Sequence, residues 1–164
     1  MRRRFSAIQQ AVERVDTGLD LTLLDWPIEV RQAVAQVDNG MGDSGARVLA
    51  DALKDNSSLD TLWLWKNNSI GDDGARALAD ALKVNSSLQD LRIYNTSIGD
   101  DGARALADAL KVNSSLLRLT FYKNNIGVDG ALELADALKV NSSLQHFSIH
   151  DDDIGGVLEI ADRF

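Results

Sequence analysis

The string GDDGARALADALKVNSS occurs twice without change, at 71–87 and at 99–115. Looser copies stand at 42–58 (GDSGARVLADALKDNSS) and 127–143 (GVDGALELADALKVNSS). Gly74, Gly102 and Gly130 are 28 residues apart, and Gly45 precedes Gly74 by 29. The extra residue lies before Ile70, where LWLWKNNSI is one longer than LRIYNTSI. A period of this length means a stack of small units, each unable to bury its apolar face without its neighbours.

Each unit carries two periods. Ala75, Leu78, Ala79 and Leu82 recur at i, i+3, i+4 and i+7, the apolar stripe of a helix. Asp72 or Asp73 is expected to N-cap that helix, and Asn85 to end it in the left-handed conformation. Arg76, Asp80 and Lys83 fall on the opposite side, at spacings that allow i,i+3 and i,i+4 ion pairs. The other half of the unit reads LDTLWLWKN, LQDLRIYNT, LLRLTFYKN and LQHFSIHDD, and alternates with period two. That predicts a short strand with one buried face. Strand and helix repeated in register give parallel strands joined by right-handed crossovers.

The spacing Leu59-x-x-Leu62-x-Leu64-x-x-Asn67, repeated from Leu116 through Leu119 and Phe121 to Asn124, resembles the leucine-rich repeat. The 28–29-residue unit with I-G-D-x-G-A-x-x-L-A-x-A-L is similar to the ribonuclease-inhibitor-like subclass, also found in NOD-like receptors. The resemblance implies an α/β fold, a curved right-handed βα solenoid with a parallel sheet on the concave side and helices on the convex side. Spacing leads to the same expectation, because strands sit about 4.8 Å apart while helices need roughly 8–10 Å. In that family the late Asn of each unit bonds the backbone of adjacent turns. Here it is Asn67 and Asn124 but Thr96 and Asp152 in the other copies, so an interrupted ladder is expected.

The 164 residues amount to a single domain at roughly 100–200 residues per domain. Residues 1–40 read as an N-terminal helical cap with a first degenerate strand, 41–154 as the repeats. Residues 155–164 read as a truncated capping helix, since IGGVLEIADRF matches the repeat once two residues are deleted. Whether 28–41 form a helix or a degenerate repeat stays open. Arg2, Arg3 and Arg4 imitate a signal peptide, but FSAIQQAVERV lacks the apolar region that should follow, and no apolar run is long enough to span a membrane. A cytoplasmic protein is the expectation.

The chain has no cysteine, which removes thiolate nucleophiles and Cys-based metal sites. Its net charge of −8 disfavours nucleic acid. His146 and His150 lie on one strand face but about 13 Å apart at ~3.3 Å per residue, too far to share a metal ion. The Asp pairs Asp72-Asp73 and Asp100-Asp101 recur at equivalent helix starts, which favours a role at the helix ends over a catalytic dyad. No metal, no cofactor and no enzymatic activity are expected.

The informative positions are those where the copies differ. The outward strand columns read Trp63, Arg92, Thr120, Ser148; Trp65, Tyr94, Tyr122, His150; and Lys66, Asn95, Lys123, Asp151. Thr61, Asp90, Arg118 and His146 form the near side. Aromatic residues clustered on solvent mark an interaction surface, and Tyr, Trp and Arg dominate binding hot spots. The partner-binding set is therefore Trp63, Trp65, Lys66, Asp90, Arg92, Tyr94, Arg118, Tyr122, Lys123, His146 and His150. As an outward residue, Arg92 is expected to tolerate alanine at under about 0.5 kcal/mol. The expected function is a non-enzymatic module that binds another protein, of scaffold, sensor or inhibitor type, with weak self-association as a way to enlarge the surface. The alternatives are a regulator of the Ran GTPase-activating type, built from similar repeats, and a consensus-like scaffold without a dedicated ligand.

Overall fold

The computed structural model describes residues 42–65, 69–151 and 156–161. In chain order these form α1 (Asp43–Asp55), β1 (Thr61–Trp65), α2 (Asp72–Leu82), β2 (Asp90–Tyr94) and α3 (Asp100–Leu110). There follow β3 (Arg118–Tyr122), α4 (Val128–Val140), β4 (His146–Asp151) and β5 (Gly156–Ala161). β1 to β4 pair in parallel, in sequence order, and each helix packs on the next. This is the expected solenoid, with the helices on its outer side. Among the described residues no helix is long and apolar enough to cross a membrane. The N-terminal cap expected over 1–40 lies outside the described residues.

Register carries the repeat into three dimensions. Leu62, Leu91, Leu119 and Phe147 stand side by side across the sheet, as do Leu64, Ile93, Phe121 and Ile149. Both rows are buried against the apolar helix stripes. Gly102 lets α3 approach α2, because a Cβ there would lie 2.8 Å from the Ala75 Cβ and 2.8 Å from Asp72 Oδ1.

Helix ends are finished by neighbouring units, which corrects two expectations. The N-cap of α2 is Gly71, with no cap from its own unit's side chains. Instead Asp43, on α1, accepts from the Gly71 and Gly74 N–H groups, both at 2.8 Å. Asp72 does the same for Gly99 and Gly102, and Asp100 for Gly127 and Gly130. Each carboxylate thus serves the positive end of the next helix.

At the other end, Asn85 Nδ2 reaches back and donates to Leu53 O at 2.7 Å and Asn56 O at 2.9 Å. Its Oδ1 accepts from the Leu88 N–H at 2.8 Å. Asn113 and Asn141 repeat the pattern. None of these asparagines is left-handed, since the non-glycine residues with positive φ among those described are Asn95 and Lys123. They order the chain between helix and strand while satisfying the last carbonyls of the preceding helix.

The late-Asn ladder is visible at Asn124. Thr96 donates its hydroxyl to Asn124 Oδ1, and Asn124 Nδ2 donates to Ile93 O at 3.2 Å. Asn124 thus makes the backbone rung to the unit before it, and Thr96 bonds the Asn124 side chain. Asn67 and Asp152 lie outside the described residues.

The C-terminal end is the largest correction. Residues 156–161 form β5, antiparallel to β4, where a truncated capping helix was expected. Val128 stands where α1, α2 and α3 carry Asp43, Asp72 and Asp100, so α4 has no carboxylate to cap a following helix. The two-residue deletion removes the equivalents of Val128 and Asp129, where the helix of the unit would start, and Val157-Leu158-Glu159-Ile160 also fits a strand. As a strand, the segment pairs with the β4 edge, placing Leu158 and Ile160 beside Ile149 and Phe147.

Candidate functional site

The outward residues of the sheet form two flanking rows and a middle row that is closed over β3 and β4. In the middle row Thr120 and Ser148 are 8% and 3% exposed. Ser148 Oγ donates to Thr120 Oγ1 at 3.4 Å. Both were expected on open solvent. Each is small and has a longer residue two positions away on either side, so the flanking rows cover this one.

One flanking row is aromatic. Tyr94 and Tyr122 have ring centroids 5.9 Å apart, and Tyr122 and His150 6.0 Å, all tilted. Parallel pairing produces this stack, since Tyr94 is in register with Tyr122 and Tyr122 with His150. Tyr122 is 40% exposed and is the one exposed large hydrophobic residue on the described sheet face. Lys123 follows in the left-handed conformation at φ 53°. Its ammonium lies 5.5 Å from the Tyr122 ring centroid.

The opposite row, Thr61, Asp90, Arg118 and His146, is polar, and Arg92 of the middle row leans onto it. Arg92 binds Asp90 through Nε at 2.9 Å and Nη2 at 2.7 Å, and its Cζ lies 4.4 Å over the Trp63 ring. The hydrogen bond to Asp90 raises the Arg92 pKa above its usual value. Arg118 meets the same carboxylate at 3.7 Å, and His146 is next in register.

Two expectations change here. Trp63 is half-buried beneath Arg92, and its Nε1 is buried with no acceptor among the described residues. Arg92 is a structural element of this face. A partly buried ion pair plus a stacked guanidinium predicts that Arg92→Ala costs about 1 kcal/mol in a urea melt, above the bound expected for an outward residue.

Trp65 occupies its place on β1 in register with Tyr94, whereas Lys66 lies outside the described residues. Asp90, Arg92, Tyr94, Arg118, Tyr122, Lys123, His146 and His150 are brought onto one face. Among the described residues no three His, Cys, Asp or Glu side chains converge to hold a metal ion. Sequence reading missed β5, which sets Glu159 in register with Ser148 of β4. Its signal was the V-L-E-I alternation, which competed with the helical reading.

A family model described as a leucine-rich repeat matches residues 55–79 and 84–107. The matched units are leucine-rich repeats, and the chain folds as a solenoid of that type. No curated protein matches the chain. Among solved structures, "Leiomodin-1 Actin-Binding Site 2 (ABS2)" superposes with a TM-score of 0.67 at 23% identity, covering 86% of this chain and 78% of that one. The tropomodulin C-terminal domain of Caenorhabditis elegans superposes with a TM-score of 0.58 at 18% identity, covering 87% and 81%. At these identities the similarity is one of fold. The leucine-rich repeats place the variable strand residues on the concave face and the near-constant motifs in the helices and their caps.

Proposed function

We propose that this leucine-rich repeat solenoid is a non-enzymatic protein-binding module that works through its concave sheet face. The observation that carries this is the Tyr94–Tyr122–His150 stack, with Tyr122 exposed at its centre. Aromatic side chains bury large areas at little cost in side-chain entropy, which suits them to anchor a partner. The 28–29-residue unit further supports the ribonuclease-inhibitor-like subclass. Four parallel strands at ~4.8 Å give a platform only about 15–20 Å wide. A helix, a loop or a protruding edge fits such a platform better than a broad flat surface.

Actin is the first ligand to test, because the similar leiomodin-1 structure is described as an actin-binding site. Co-sedimentation with filaments and titration of monomers cover both forms. For any protein ligand, Tyr122→Ala and Tyr94→Ala should each weaken binding by ~2 kcal/mol or more, with melting temperature nearly unchanged. Arg76→Ala and Asp80→Ala on the convex helices should change neither the affinity nor, appreciably, the melting temperature. A ligand sensitive to Arg76 and Asp80 but indifferent to both tyrosines would move the working surface to the helices.

A further inference from the structure

Two guanidinium groups on the concave face share one carboxylate, and they share it unequally. Arg92 engages both oxygens of Asp90, with Nε at 2.9 and 3.2 Å and Nη2 at 2.7 Å. Arg118 reaches it through Nε at 3.7 Å, and its side chain is 45% exposed. The charge of Asp90 is matched by Arg92, leaving Arg118 in excess. At the far end of β3 the exposed Lys123 adds a second positive charge beside Tyr122. β2, β3 and Lys123 together carry Arg92, Arg118 and Lys123 against Asp90 alone, although the whole chain is at −8. Asp151 and Glu159 fall by register on β4 and β5.

We propose, resting on the concave-face reading, that the partner segment is acidic: a carboxylate pairs with Arg118 while an apolar or aromatic side chain packs on Tyr122. A guanidinium presents a planar fork that fits a carboxylate with two parallel hydrogen bonds, and the side-chain hydrogen bonds Asp90 accepts all come from Arg92. The repulsion from the acidic remainder of the protein does not cancel this. At physiological ionic strength charges are screened beyond about 8 Å, so groups in contact with the ligand decide.

The test is a random peptide library selected on the full chain. Selected peptides are then titrated against the unaltered protein and against Tyr122→Ala, Arg118→Glu and Arg118→Gln, with circular dichroism and melting temperature as folding controls. The expected peptides combine Asp or Glu with an aromatic or aliphatic residue. Arg118→Glu should weaken them about tenfold or more, with Arg118→Gln intermediate. Peptides that need Tyr122 but are not enriched in acids, or that need Tyr122 and ignore both Arg118 variants, overturn the acidic-partner proposal and leave the concave-face reading standing. Peptides that need Arg118 but not Tyr122 overturn the packing on Tyr122, and peptides indifferent to Tyr122 and to both Arg118 variants overturn the concave-face reading itself. A library that yields no binder counts against both.

Discussion

Asn113→Ala should destabilise the protein by about 4 kcal/mol, more than most surface or half-buried substitutions. Asn113 is 6% exposed and links two units. Its Nδ2 donates to Leu82 O at 2.7 Å and to Asn85 O at 3.2 Å, and its Oδ1 accepts from Leu116 N at 2.8 Å. Alanine leaves the buried Leu82 carbonyl and Leu116 N–H without these partners, and each such group costs about 1–3 kcal/mol. Asn85 O keeps a bond from Ser115 Oγ at 3.3 Å and contributes less. Asn113→Asp keeps the acceptor but sets a carboxylate against the Leu82 carbonyl, so it should rank close to alanine. Urea unfolding gives both values. A loss under about 1 kcal/mol for both variants would show that water or a backbone shift replaces the ladder at small cost.

Phe121→Ala should cost about 3–5 kcal/mol, the range for removing a fully buried aromatic. Phe121 has no exposed surface and meets Phe147 edge-on, with centroids 6.5 Å apart. It sits between Ile93 and Ile149 in the buried row, so the void opens at the centre of the stack. Solenoid stability is a sum of unit and interface contributions, and the loss should be felt across both neighbouring interfaces. Tyr122→Ala, one residue away on the other face, should change stability far less. A melt in which Tyr122→Ala is the more damaging would reverse the two sheet faces.

The convex surface should matter little to stability. Lys83–Asp80 and Lys111–Asp108, both at 2.8 Å, are i,i+3 pairs on exposed helix faces, as the spacing implied. Exposed pairs of this kind contribute about 0–1 kcal/mol. Their near-identity from unit to unit follows the repetition of the whole helical segment.

The amino-acid sequence by itself determined the unit, its strand and helix, and which residues are core. Leu62, Leu64, Leu91, Ile93, Leu119 and Phe121 were legible because a period of two and a period near 3.6 are local properties of the chain. The candidate site was legible as a set of columns for the same reason. Repeats in register place equivalent residues side by side, so Tyr94, Tyr122 and His150 could be aligned from the sequence.

What only the tertiary structure decided was partnership between units. Asp72 at a helix start looks like a cap for its own helix, yet Gly99 and Gly102 of the next unit are its partners. Asn85 looks like a left-handed helix end, yet it holds Leu53 and Asn56 of the unit before. A local reading sees residue type and spacing, whereas these bonds join positions about thirty residues apart that are neighbours only after stacking. The same holds for Thr120 and Ser148, covered by longer neighbours, and for Asp90, whose charge is matched by Arg92 so that Arg118 is left over. It holds most plainly for Val157–Ile160, whose pattern fits helix or strand. The absence of a capping carboxylate at Val128 and the edge offered by β4 favour the strand.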